Sequence, residues 1–143
     1  MFTLEDAIAI ATSAHDGQVD KSGRPYIGHP LRVMGSVSGE HERMAAVLHD
    51  VVEDTAVTAA DLLERGCPAV VVDAVVALSH LPDEPQEDYL RRVAANPLAR
   101  TVKHADIADN LSPARIARLD EATQERLKAK YARALRLLDE YVS

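Results

Sequence analysis

Apolar residues recur along this chain at three- and four-residue intervals, and those intervals predict helices almost from end to end. Leu4, Ala7, Ile8 and Ala11 share one face of a first helix. Thr3 caps it with Asp6 as reciprocal partner, and Gly17 ends it. A loop rich in Gly, Asp and Pro runs from Gly17 to His29, and Pro30 suits the first turn of a second helix reaching about Gly39. A third is expected over about Glu40 to Asp54, and a fourth over Thr58 to Glu64, with Thr58 and Asp61 as its capping pair and Gly66 beyond its end. Pro68 opens a fifth. Its apolar stretch AVVVDAVVAL would suit a strand by propensity alone. The Pro start, the lack of a pairing partner and the helical neighbours favour a buried helix. A sixth helix is expected over Gln86 to Asn96 and a seventh over Pro97 to about Asn110. The last, about Thr123 to Val142, repeats Leu127, Tyr131, Leu135, Leu138 and Val142 on one stripe, which suits packing on the bundle or a homodimer equally. The expectation is an all-α bundle of about eight helices, one domain over residues 1–143.

Composition narrows the setting. A chain of 143 residues, 47% hydrophobic, is long enough to bury a core without disulfides. Aromatics are 3% and Trp is absent, so Ala, Val and Leu carry the apolar content, which favours close helix packing. The lone Cys67, between Gly66 and Pro68, excludes an internal disulfide, fits a reducing compartment and reads as structural filler. No long apolar run and no basic, cleavable N-terminus appears, so a cytoplasmic location with no membrane association is expected. A formal charge of −7 argues against nucleic-acid binding. It leaves room for a small phosphorylated nucleotide, because a bound divalent metal supplies local positive charge.

The unusual chemistry lies in AAVLHDVVEDT, residues 45–55. Here His49, Asp50, Glu53 and Asp54 are set into an otherwise apolar helix. Asp50 shares a face with Glu53 and Asp54, three and four residues on. Carboxylates crowded on an apolar surface cost free energy unless a cation offsets them, and a divalent metal is the simplest such cation. An isolated His-Asp pair would more simply be a polar pair at the rim of a core. The two acids one turn on favour the metal. Two further segments supply partners: SGRPYIGHP, which fixes His29 ahead of a Pro-started helix, and VKHADIADN, which puts Asp106 and Asn110 four apart. Alone, His29 reads as a residue bonded to backbone, and Asp106 with Asn110 as a solvated face. Together they give His, His-Asp and Asp in the order expected of one site built from three helices. His15 reads as a brace for its loop and His104 as facing away from Asp106; His41 and His80 carry no functional reading.

This order resembles that of the HD superfamily of metal-dependent phosphohydrolases. More narrowly, AHDGQVDKSGRPYIGHPLRV, LHDVVEDT and VKHADIADN resemble the hydrolase domain of RelA/SpoT-type alarmone enzymes and their small stand-alone relatives. The resemblance implies an HD-domain bundle with His29, His49, Asp50 and Asp106 as ligands of a divalent metal, typically Mn²⁺. It implies that Glu53 and Asp54 position and activate water, that Lys21 belongs to the substrate pocket and that Asn110 helps hold the nucleotide sugar. The implied activity is removal of the 3′-pyrophosphate of guanosine 3′,5′-bis(diphosphate). Arg24, on the same loop as Lys21, suits phosphate oxygens by charge.

The chain departs from the pattern at Asp20, where the family usually has a basic residue that stacks on guanine. It departs again after Asp106, where the family commonly reads ADRLHN and this chain reads ADIADN, adding the negative charge of Asp109. Two other functions therefore stay open: an HD phosphatase for another nucleotide or a nicotinamide cofactor phosphate, and a non-catalytic nucleotide sensor. The presence of both Glu53 and Asp54 speaks against the sensor.

Overall fold

The computed structural model describes residues 1–142. Ten helical segments follow one another among them: α1 Leu4–Ala14, α2 Gly28–Gly35, α3 Glu40–Leu48, α4 Val51–Asp54, α5 Ala59–Glu64, α6 Ala69–Leu78, α7 Gln86–Ala94, α8 Pro97–Asn110, α9 Pro113–Ile116 and α10 Glu121–Val142. One isolated bridge, Val19 to Pro25, pinches the loop before α2. Among the described residues no helix is long and apolar enough to cross a membrane.

Helix α3 is the axis of the bundle and packs against α1, α2, α6 and α8. Five consecutive residues, Met44 to Leu48, are buried, so the helix is enclosed on every side at its C-terminal end. Fully burying side chains of this size contributes about 1.5–3 kcal/mol each for the larger ones. The small Ala45 and Ala46 let neighbouring helices approach this segment closely. Helix α6 is the buried helix expected from AVVVDAVVAL: Val71, Val72, Ala74, Val75, Ala77 and Leu78 face the core, while Val70, Asp73 and Val76 face out. Tertiary burial overrides the strand propensity of its valines.

Local chemistry sets several ends as expected. Thr3 and Asp6 close a capping box on α1, and Thr58 and Asp61 do the same on α5. Gly66 then takes a left-handed φ of 92°, and the Gly66 and Cys67 amides return to Leu63 and Leu62. Cys67 is buried, and burial pushes its thiol up to about 11, which suits filler and not a nucleophile.

Four expectations need correction. The second helix stops at Gly35, short of Gly39. The expected third helix is two, because the chain turns at His49 and Asp50 between α3 and α4. A further short helix, α9, follows Pro113, so the count rises from about eight to ten. On α10, Val142 is exposed, and the buried positions are Leu127, Ala134 and Leu138. That helix packs on α7 and α8, so Leu127 and Leu138 of the stripe serve the chain's own core.

Candidate metal centre

Three segments converge where α2, α8 and the α3–α4 turn meet. His29 stands in the first turn of α2, just before Pro30, and is buried. Its Nε2 lies 2.8 Å from Oδ1 of Asp106, a buried carboxylate near the end of α8. His49 caps the C-terminal end of α3, and its Nδ1 donates to the Ala46 carbonyl at 2.6 Å. That bond makes Nδ1 the donor and leaves Nε2 to take a proton or a metal ion. This nitrogen is buried without a hydrogen-bond partner, yet stands 3.1 Å from Asp50 Oδ2 and 3.3 Å from Asp106 Oδ1. Ligand atoms of His29, His49 and Asp50 all lie within 4.8 Å of one another.

A bare ring nitrogen facing two carboxylates is repulsive unless a proton or a metal ion comes between them. The electrostatics show the same demand. Burial alone would make a charged His49 harder to form, but the Asp50 and Asp106 charges outweigh it and hold its proton affinity well above that of an ordinary imidazole. Burial likewise opposes ionised Asp106, yet the two imidazoles and Lys103 keep its carboxyl well below the usual range. Two imidazoles and two carboxylates form the mixed nitrogen and oxygen donor set that divalent first-row metals accept. The residues present fit such an ion.

Around this cluster the structure adds Tyr26, Lys103 and Arg115, which the sequence did not single out, and it sets Asp109 against His29. Tyr26 donates its hydroxyl to Asp50 Oδ2. The Lys103 ammonium lies 3.3 Å from Asp106 Oδ2 and is held in its charged form by that carboxylate despite burial. Asp109 Oδ2 stands 2.6 Å from His29 Nδ1. Tyr26 and Lys103 lie inside the segments already noted, and Lys103 stands one helical turn before Asp106. Arg115 had no such signal.

His49, Asp50 and Asp106 of the cluster line a cavity of about 280 Å³. Glu53, His80, Tyr89, Lys103, Asn110, Lys130 and Tyr131 also line it. Glu53 accepts the His80 backbone N–H at 2.6 Å. Its carboxyl is pushed up, first by burial and then by the charges of Asp54 and Asp50. Asp54 is exposed, is not among the residues lining this cavity, and offers its backbone carbonyl to Gln18. A second cavity of about 250 Å³ shares Asn110 and Tyr131 with the first and is lined by Lys21, Asp20, Tyr26 and Arg115. Asn110 donates to Asp106 at 3.2 Å and accepts from Arg115 at 2.8 Å, so it ties the two cavities together. The Arg24 side chain is exposed and lines neither. His15 is buried and bonds Gln18 within the loop, whereas His104 is exposed.

No family model matches the chain. Over 78 residues, half of the chain, it is 45% identical to the guanosine-3′,5′-bis(diphosphate) 3′-pyrophosphohydrolase of Haemophilus influenzae. Over 63 residues, 41% of the chain, it is 44% identical to the bifunctional (p)ppGpp synthase/hydrolase SpoT of Escherichia coli. A 3′-pyrophosphohydrolase of Aquifex aeolicus matches 76% of the chain at 32% identity. The chain carries a RelA/SpoT hydrolase-like domain. This domain spans only a small part of those relatives: 12%, 9% and 17% of their lengths. A solved structure of a metazoan orthologue of SpoT that hydrolyses ppGpp shares the domain's fold, with a TM-score of 0.77 over 94% of this chain and 84% of that one. At 23% identity that likeness concerns the fold, and the fold is the expected all-α HD-type bundle.

Proposed function

We propose that residues 1–143 act as one metal-dependent phosphohydrolase domain that removes the 3′-pyrophosphate of guanosine 3′,5′-bis(diphosphate), giving GDP and pyrophosphate. The observation that carries this reading is the unpartnered His49 Nε2, buried against Asp50 and Asp106 on the wall of a cavity that also holds lysines. The relatives' names supply the substrate.

In this reading His29, His49, Asp50 and Asp106 hold the metal, with Mn²⁺ first among the candidates. Bound there, a divalent ion makes its water more acidic and draws charge from a phosphoryl group. Glu53, whose raised proton affinity suits proton acceptance, orients the attacking water and takes its proton. Asp54 keeps Glu53 basic by its charge, a more distant role than its neighbour's. Lys103 holds Asp106 in place, and Lys130 meets phosphate oxygens from across the cavity. Asn110 and Lys21 receive the sugar and the remaining phosphates in the second cavity. The proposal sets this chemistry in the cytoplasm, on a free nucleotide.

A second substrate class is favoured by one observation. Asp20 Oδ1 accepts from Ser22 N at 2.9 Å, Ser22 Oγ at 2.8 Å and Arg24 N at 3.0 Å, so it organises its own loop and offers no cation to stack on guanine. That suits a nucleotide with another base, or a nicotinamide cofactor phosphate. Incubating the Mn²⁺-loaded protein with guanosine tetraphosphate, NADPH and 3′-phosphorylated adenosine, and identifying products by ion-exchange chromatography, separates the readings. Release of pyrophosphate from the guanosine compound alone is the expected result. A nucleotide that binds and is recovered intact would instead identify a sensor.

A further inference from the structure

Asp109 was expected to burden the site with unwanted negative charge, and its surroundings reverse that expectation. Its carboxylate takes Arg32 Nε on Oδ1 at 2.9 Å, and Arg32 Nη2 on Oδ2 at 3.3 Å. Arg115 Nη1 reaches Oδ2 as well, at 3.0 Å. Two guanidinium groups therefore more than neutralise it. The same Oδ2 lies 2.6 Å from His29 Nδ1. A carboxylate oxygen and a ring nitrogen approach so closely only with a positive charge between them, since two lone pairs at that distance repel. Nε2, 2.8 Å from Asp106 Oδ1, would take the metal ion, which leaves the ring's one proton for Nδ1. Arg115 Nη1 also stands 2.9 Å from His29 Nδ1. A guanidinium can only donate, so Arg115 and Asp109 ask for opposite tautomers, and the shorter, charge-assisted contact with Asp109 decides.

We propose that Asp109, clamped by Arg32 and Arg115, is the positioning residue that fixes His29 in its Nδ1–H form and so aims the Nε2 lone pair at the metal centre. The inference rests on the metal reading above and adds to it a residue outside the ligand set, at a position where the chain departs from the RelA/SpoT pattern. A carboxylate behind a ligating imidazole makes that imidazole a stronger donor and restricts its rotation. The arginines supply what an isolated acid on α8 would lack: one orientation, and a charge balance that leaves the pocket open to anions. Arg115 also bonds Asn110, so the clamp joins the His29 side of the centre to the second cavity.

The test is calorimetric titration of metal-free protein with Mn²⁺, for the native chain and for Asp109→Asn and Asp109→Ala. Melting of the metal-free forms is followed alongside. Asp109→Ala is expected to bind Mn²⁺ about 10–100-fold more weakly, with its metal-free melting temperature retained. Asp109→Asn, which keeps the shape and one acceptor oxygen, should fall between. A purely structural role would lower the melting temperature and leave the affinity alone; affinity within about twofold of native overturns the inference. Should both variants fail to fold, Arg32→Gln removes one clamp from a half-exposed position, and an affinity loss of about threefold is expected from an exposed ion pair of this kind. No loss there also overturns it. A native chain that binds no Mn²⁺ overturns the metal reading itself. A native chain that binds it as tightly as the Asp109 variants do overturns only this inference.

Discussion

Asp50 Oδ2 lies 3.1 Å from Nε2 of His49, its neighbour in the chain, because the helix turns between α3 and α4. On a straight helix the two side chains would diverge by about 100°. The turn lets both face Asp106, and it leaves an arrangement that is repulsive without a cation. Mn²⁺ should therefore stabilise the fold. With free metal about 100-fold above its Kd, linkage gives about 2.7 kcal/mol. For a chain of this size that is a rise in Tm of roughly 5–10 °C. Differential scanning calorimetry with and without Mn²⁺ reads it directly, and His49→Ala should abolish the rise. A native Tm indifferent to every divalent metal contradicts the site.

Glu53 and Asp54 separate in the structure although they are adjacent in the chain. Both are exposed, but Glu53 lines the first cavity with its carboxylate held by the His80 amide, while Asp54 lies outside that lining. Glu53→Gln is expected to lower kcat by about 10²–10⁴-fold, the usual range for a lost general base. Mn²⁺ affinity should be unchanged. Asp54→Asn should lower kcat much less. Equal losses in steady-state assays of the two variants would place both acids in contact with the reacting water.

Lys130, on α10, lines the first cavity along with His49, Asp50 and Asp106. Burial and the nearby charges of Lys103 and Lys21 push its proton affinity down, as expected where cations crowd around a place for an anion. Lys130→Ala should raise KM roughly tenfold or more, the loss of one charge-assisted hydrogen bond. A smaller change is expected in kcat. A variant with native KM would show that the phosphates lie elsewhere.

How much of this was legible beforehand depended on the range of the interaction. The capping boxes at Thr3 and Thr58 join residues three apart, and they formed where the sequence put them. Helix α6 was legible because its Pro start and its length outweighed its valines. The turn at His49 was not, because the groups that His49 and Asp50 meet, Asp106 and Tyr26, come from distant segments. Asp109 was misjudged for the same reason: Arg32, which holds it, is 77 residues away in sequence, and no local pattern announces such a partner.

Asp20 shows how the structure changes an experiment. From the sequence, Asp20→Arg should restore the missing cation and improve guanosine tetraphosphate selectively. In the fold, three donors converge on Asp20 Oδ1, while its backbone N–H and carbonyl bond Arg24 and Gly23. Removing that acceptor frees the Ser22 and Arg24 amides and loosens the loop carrying Lys21, on the wall of the second cavity. Asp20→Arg is therefore expected to raise KM for every nucleotide, by roughly tenfold if about 1.4 kcal/mol of loop order is lost. Asp20→Asn keeps an acceptor oxygen for the same donors and should stay close to native. Measuring KM for guanosine tetraphosphate and NADPH on both variants decides the matter. A gain confined to the guanosine compound would mean that Asp20 acts on the base, and a loss shared by both substrates means that it acts on the loop.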